Sequence, residues 1–226
     1  MLDFNFWKKY GLDDLNAIRS SVRVERTAVQ IAVIDDKTFP PLEELRRHQF
    51  NITLFADIER LSILNDFDIV ITDIRGVGKH LGSNLEGAHL IEEIVKQFPN
   101  KYLIAYSASR FDMTLNKYFN MCDERKKKDT DVHEWATTLD KAITDINDPI
   151  FQWEKTRQIL IKQKFSSEYI SKIEKAFAKS VVKRNSKYLQ REVSSDKSLS
   201  ERPIVKIAIE SISSFTASFI SELIKS

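Results

Sequence analysis

The chain has 226 residues, 42% of them hydrophobic and 30% charged, with a formal net charge of +2 and one cysteine, Cys122. This is enough apolar material for a real core, and a single cysteine excludes an intrachain disulfide framework and points to a reducing compartment. Charge is unevenly placed: residues 151–202 hold thirteen Lys/Arg against six Asp/Glu, residues 203–226 balance, and residues 1–150 carry a net −5, so an acidic first part joins a basic segment suited to different partners.

The N-terminus, Met-Leu-Asp-Phe-Asn-Phe-Trp, lacks the basic and apolar regions of a signal peptide. Residues 1–29 read as an extension, with a short helix expected over Leu12–Val24 and a basic patch at Arg19, Arg23 and Arg26. From Gln30 the pattern becomes regular. Short runs rich in β-branched residues predict strands at 30–34, 51–55, 67–73 and 102–106, with a weaker one at 118–122. Between them, helices are expected after Pro40-Pro41, over 57–65, over 87–98 ahead of Pro99, over 110–118 and over 131–146. This alternation predicts an α/β domain over 30–146, a doubly wound five-stranded parallel sheet with helices on both faces.

Beyond Pro149 no strand pattern recurs, and residues 147–226 read as an all-α C-terminal module. Helices are expected over 150–164 and 167–189, followed by a polar linker at 192–202. In the last helix Val205, Ile209, Ile212, Phe215, Phe219 and Leu223 recur at three- and four-residue steps and make one apolar face. The stretch Ile207–Ile224 is the most apolar of the chain, but Glu210, Glu222 and several serines interrupt it. No uninterrupted apolar run approaches the ~20 residues of a bilayer crossing, and a cytoplasmic protein without a membrane partner is expected.

Three acidic positions stand at the ends of two predicted strands: Asp35 and Asp36 after Ile31-Ala32-Val33-Ile34, and Asp73 after Ile69-Val70-Ile71-Thr72. In open parallel sheets, ligands bind at the carboxyl ends of the strands. Carboxylates gathered there repel unless a cation or proton offsets them. Oxygen donors of this kind suit Mg²⁺, which in turn suits a phosphoryl group. A simpler reading is that Asp35 and Asp36 cap a helix or turn. The four histidines show no metal-ligand spacing, and Gly76 and Gly78 do not complete a nucleotide-binding Gly-x-x-x-x-Gly-Lys-Ser/Thr loop.

Five landmarks in order, Val-Ile-Asp-Asp (33–36), Asp-Ile-Val-Ile-Thr-Asp (68–73), Leu-Glu-Gly-Ala-His-Leu-Ile (85–91), Ile-Ala-Tyr-Ser-Ala (104–108) and a lysine after the fifth strand, resemble the receiver domain of bacterial two-component response regulators. The resemblance to this CheY-like superfamily covers residues 29–146. It implies a flavodoxin-like receiver fold and a phosphorelay protein rather than an enzyme. Asp73 would be the phosphoacceptor, served by a histidine kinase or a small phosphodonor. Asp35 and Asp36 would hold Mg²⁺, with Asp73 and the carbonyl of Arg75 completing the protein ligands. Ser107 matches the hydroxyl that bonds a phosphoryl oxygen. Lys128 is the choice for the lysine that pairs with the phosphoryl group, with Lys126 and Lys127 left open in this basic run.

The chain also departs from the family. The connection from Asp73 to Gly87 is several residues longer than usual, and its insert, Gly76 to Asn84, reads as a lid. Asp129 follows Lys128 where proline is common, and Arg125 stands where many receivers carry a switching Tyr or Phe. A degenerate receiver acting as a phosphorylation-independent scaffold is therefore the alternative. For the C-terminal module, self-association or docking of a protein partner is favoured over a DNA-binding regulator that uses the basic tail.

Overall fold

The computed structural model describes residues 9–19, 21–82, 85–107, 113–195 and 201–225. The chain divides into two compact units, Val24–Ile146 on the one hand and Met1–Arg23 with Asn147–Ser226 on the other.

The first unit is built on five parallel strands: β1 (Gln30–Ile34), β2 (Asn51–Phe55), β3 (Ile69–Asp73), β4 (Tyr102–Ser107) and β5 (Glu124–Lys127). Their order is β2-β1-β3-β4-β5. This is the flavodoxin-like doubly wound arrangement, in which the strand order reverses beside β1 and β3. The central strands are buried on both faces, which is why Ile-Ala-Val-Ile and Ile-Val-Ile read as continuous apolar runs instead of alternating ones. Helices α1 (Leu42–Arg47), α2 (Gly87–Gln97), α3 (Asn116–Phe119) and α4 (Val132–Ile146) connect and cover the sheet.

Register partners Ala32, Val70 and Leu103 share one face and pack with Leu90, Ile91 and Ile94 of α2 and Tyr118 of α3. The alternate positions supply the other face, where Tyr106 meets Phe39 and Trp135 edge-to-face at 5.6 and 5.9 Å between ring centroids. Arg26 ties this unit together: its guanidinium bonds both oxygens of Asp140 at 2.7 and 2.6 Å and the His48 carbonyl at 2.9 Å.

Two elements differ from expectation. The fifth strand lies at Glu124–Lys127, not at 118–122. Tyr118 and Phe119 belong to α3, and their apolar character serves the core of the α2 side rather than a strand. The 57–65 segment is not an α-helix; a 3₁₀ stretch, Leu61–Asp66, occupies its end. Of the expected 110–118 helix, residues 110–112 lie outside the described residues; 3₁₀ turn Met113–Leu115 leads into α3.

The second unit contains α5 (Pro149–Lys162), α6 (Ser167–Val182), α7 (Lys187–Ser194) and α8 (Pro203–Lys225). Asp148 caps α5 by accepting the Ile150 N–H at 2.9 Å, with Pro149 in the first turn, and Ser166 caps α6 by accepting the Tyr169 N–H at 3.2 Å. The single helix expected over 167–189 is two. Arg184 has φ +50°, and the Asn185 N–H closes on the Ser180 carbonyl at 2.9 Å. The buried Ser180 hydroxyl then accepts the Leu189 N–H at 2.9 Å, fixing the start of α7. Within the expected linker, residues 192–194 finish α7 and residues 196–200 lie outside the described residues.

The segment read as an N-terminal extension is shared between the units. Its 3₁₀ turn, Leu12–Leu15, buries Leu15 completely among Trp153, Phe177 and Ile209, while residues from Val24 onward go with the sheet. A short helix through Val24 is not formed. The basic patch is dispersed into ion pairs, Arg19 with Asp148 and Arg26 with Asp140. Among the described residues one helix, α8, is long and apolar enough by composition to cross a membrane. Its Val205, Ile209, Ile212, Phe219 and Leu223 are buried in the core of the helical unit.

Candidate functional site

Parallel pairing of β1 with β3 sets Ile34 opposite Thr72 and so brings Asp35 alongside Asp73 at the carboxyl edge of the sheet. Asp35 is 1% exposed and Asp73 6%. Asp36 is the outward member of the group. One oxygen from each of Asp35, Asp36 and Asp73 lies within 4.8 Å of the others.

Beyond β5 the chain turns, the Lys128 N–H bonding the Ser107 carbonyl at 3.2 Å. This aims the Lys128 ammonium into the acidic group. It stands 2.5 Å from Asp73 Oδ2, 3.0 Å from Asp35 Oδ2 and 3.2 Å from Asp35 Oδ1. Of the three lysines left open by the sequence, Lys128 is therefore the one in the site. Lys126 instead pairs with Glu134 at 2.7 Å, and Lys127 is exposed on the edge strand. Ser107 ends β4, nearly buried, one residue beyond Tyr106, which is the register partner of Asp73. Arg75 donates its N–H to Asp73 Oδ1 at 3.3 Å.

The electrostatics follow from burial. Desolvation raises the Asp73 pKa; hydrogen bonds from Lys128 and the Arg75 N–H pull it down without cancelling the rise, and the nearby Asp35 charge adds to it. For Lys128, burial works to lower the pKa, but bonds to Asp73 and Asp35 outweigh it and the value is raised. The lysine is thus held as a cation where two buried carboxylates need one.

Several contributors stand outside the residues to which the sequence assigns a role. Tyr106 donates its hydroxyl to Asp35 Oδ2, and the Lys128 ammonium sits 5.1 Å from its ring centroid. Burial, then the bond to Asp35, pushes the phenol far above its ordinary range, so it stays a donor. The sequence shows Tyr106 only within the Ile-Ala-Tyr-Ser-Ala run, with no role of its own; the signal is a polar tip that needs a partner once the strand is buried. Asp57 stands two residues beyond β2, a strand-end placement like those of Asp35 and Asp73. Its carboxylate accepts the Gly78 N–H at 2.6 Å and the Lys79 N–H at 3.1 Å. Glu86 accepts the Gly76 N–H at 2.7 Å. The insert is therefore pinned through Gly76, Gly78 and Lys79, and it carries Lys79 Nζ to 3.4 Å from Asp36 Oδ2. Ser83 and Asn84 lie outside the described residues.

Two glycines explain the fit of this edge. Gly76 has φ +79°, and a Cβ there would meet the Asp36 carboxylate at 2.5 Å. At Gly87 a Cβ would meet the Asp73 carbonyl at 2.3 Å, so only glycine lets the first turn of α2 lie against the end of β3. The Gly in the 85–91 landmark thus has a packing reason.

The donor set is all oxygen, two acids at the end of one strand and one at the end of its neighbour, which suits a hard divalent ion such as Mg²⁺. Asp36 is the accessible member of the group, with its side chain 29% exposed.

The chain matches no protein-family model and no curated protein. Among solved structures it is similar to a CheY-like response regulator receiver domain protein from Methanospirillum hungatei, at 17% identity over 52% of this chain and 95% of that one, with a TM-score of 0.44. It is also similar to the signal receiver domain of an HD domain-containing protein from Pseudomonas fluorescens, at 18% identity over 55% and 93% of the two chains and a TM-score of 0.44. A response regulator from Thermotoga maritima matches at 18% identity over 51% and 98%, with a TM-score of 0.42. These likenesses concern the fold of about half of the chain.

Proposed function

We propose that the sheet unit is a receiver whose Asp73 accepts a phosphoryl group from a histidine kinase or a small phosphodonor with Mg²⁺ present, in a phosphorelay protein whose helical unit carries the output. The observation that supports this most is the Lys128 ammonium joined to both Asp73 and Asp35 at the edge where three carboxylates meet. A buried nucleophilic oxygen, an acidic pair able to hold a cation and a fixed lysine are the parts that phosphoryl transfer to a carboxylate requires.

In this reading an Asp73 oxygen forms the bond to phosphorus while the donor's P–N or P–O bond breaks and its electron pair leaves with the donor, which is protonated from solvent. Asp35, Asp36, Asp73 and the Arg75 carbonyl would hold Mg²⁺, which when bound offsets charge on the phosphoryl oxygens. Lys128, released from Asp73 as that carboxylate becomes an acyl phosphate, pairs with the new phosphoryl oxygens. The Ser107 hydroxyl donates to another, biasing the loop that follows β4. The helical unit, by self-association or by docking a protein partner, reads the change.

A scaffold that needs no phosphorylation is the second reading. Arg125 favours it: its guanidinium bonds the Phe119 carbonyl at 3.1 Å and lies over the Phe119 ring, a fixed cation where a mobile aromatic is expected.

Incubation with a radiolabelled small phosphodonor tests the proposal. The wild type takes label only with Mg²⁺, and Asp73→Asn takes none. Equal labelling of Asp73→Asn places the acceptor elsewhere; absence of label and of Mg²⁺ binding in the wild type favours the scaffold.

A further inference from the structure

The insert after β3 does more than lengthen a loop. It brings a positive charge to the outer ligand of the proposed cation site, and two acidic residues hold it there. Asp57 grips the Gly78 and Lys79 amides from the end of β2. Glu86, itself in an unusual backbone conformation at φ +49°, grips the Gly76 amide from the start of α2. Gly76, at φ +79°, passes so close to Asp36 that a Cβ there would lie 2.5 Å from its carboxylate as it stands. With the backbone held at Gly76, Gly78 and Lys79, Lys79 Nζ is left at 3.4 Å from Asp36 Oδ2. The inner carboxylates have Lys128; the outer one has Lys79.

We infer that Lys79 is an internal competitor for the divalent cation, a strap residue that occupies the charge demand of Asp36 until Mg²⁺ displaces it, and that Asp57 is the residue that positions it. The inference rests on the cation site proposed above. A metal ion at Asp36 and an ammonium at the same oxygen repel, so each must be bound at the expense of the other. Lys79 is half exposed and free to swing outward on its four-carbon stem, so the competition is modest. Removing it tightens divalent binding about two- to fivefold, the range that an exposed ion pair yields. The strap thereby sets the metal concentration at which the site fills without contributing a ligand.

The test is direct binding of Mn²⁺ to the full chain, followed by loss of the free-ion electron paramagnetic resonance signal, with Mg²⁺ as competitor. Lys79→Gln should bind about two- to fivefold more tightly than wild type, and Lys79→Arg, which keeps the charge, should bind like wild type. The advantage of Lys79→Gln should shrink as salt rises, because the competing charge is at the surface. Asp57→Asn should tighten binding as well, and should add nothing in the Lys79→Gln background, since it acts through that lysine. A circular-dichroism melt of each variant establishes that it is folded. If wild type binds Mn²⁺ and Lys79→Gln binds equally or more weakly, the competitor role is overturned and the cation site stands. If neither binds at millimolar Mn²⁺, the cation site fails and the competitor role fails with it.

Discussion

The ammonium of Lys128 lies between two buried carboxylates, 2.5 Å from Asp73 and 3.0 Å from Asp35. Removing it leaves like charges together in a site that water scarcely reaches, and truncating one partner of a buried pair destabilises by about 3–5 kcal/mol. Lys128 keeps some exposure, so the expected loss for Lys128→Ala is toward the low end of that range. Urea unfolding in the presence of a chelator measures it. Adding Mg²⁺ should then restore more stability to Lys128→Ala than it adds to wild type, because the variant has an unmet demand for a cation. Equal Mg²⁺ stabilisation of the two proteins would show that the ion and the lysine answer to different groups.

Asp73 makes the complementary case. Its folded pKa is raised above the unfolded value, chiefly by burial. A raised carboxyl pKa means that the folded state binds the proton more tightly. Its contribution to stability is therefore full below the unfolded pKa and is lost as pH rises through the folded one. At neutral pH the ionised Asp73 works against folding, and the isosteric Asp73→Asn removes that penalty. The variant should melt at higher temperature than wild type at pH 7 without Mg²⁺, and the gap should close on acidification as the wild-type carboxyl takes up its proton. Scanning calorimetry across the acid range reads both effects; a gap that widens toward low pH would reverse the assignment.

Much of this edge is legible in the sequence, and the reason is physical. β1 and β3 are buried on both faces, so each is written as an unbroken apolar run, and an aspartate at the end of such a run marks where the sheet meets solvent. The same logic fails at β5. Glu124-Arg125-Lys126-Lys127 is an edge strand whose side chains reach solvent or surface partners, so it carries no apolar signal, and the nearby Tyr118 and Phe119 imitate one. Register was unreadable for the same reason: which of three consecutive lysines enters the site depends on the turn after β5, not on composition. The break between α6 and α7 was hidden because it rests on a left-handed Arg184 and the Ser180 hydroxyl, neither of which interrupts the apolar spacing.

Tyr106 reaches the site through its hydroxyl, which can be removed without disturbing its packing. Tyr106→Phe keeps the edge-to-face contacts with Phe39 and Trp135 and deletes only the donor to Asp35. A buried hydrogen bond to a charged acceptor contributes about 1.5–3 kcal/mol, and that is the expected loss in metal-free protein. Because Asp35 is then held by fewer donors, Mg²⁺ should stabilise the variant more than wild type. Chemical denaturation with and without Mg²⁺ checks both; a variant as stable as wild type in chelator would mean that water replaces the phenol without penalty.

The N-terminal stretch gives the last prediction. Leu15 is fully buried in the core of the helical unit beside Trp153 and Phe177, which stack at 5.6 Å. Four residues on, Arg19 pairs with Asp148, the residue whose carboxylate caps α5. One short segment therefore fills the core and braces a helix start, although it is separated from that helix by the whole sheet unit in sequence. Truncating a buried leucine to alanine removes transfer free energy and leaves a cavity, about 2–5 kcal/mol together. Leu15→Ala should weaken the helical unit by an amount in that range. Hydrogen exchange followed by mass spectrometry should show faster exchange in α5 and α6, while peptides from β1, β3 and β4 keep their protection. Uniform acceleration across both units would instead mean that they unfold as one, and unchanged exchange in α5 and α6 would remove the segment from the core.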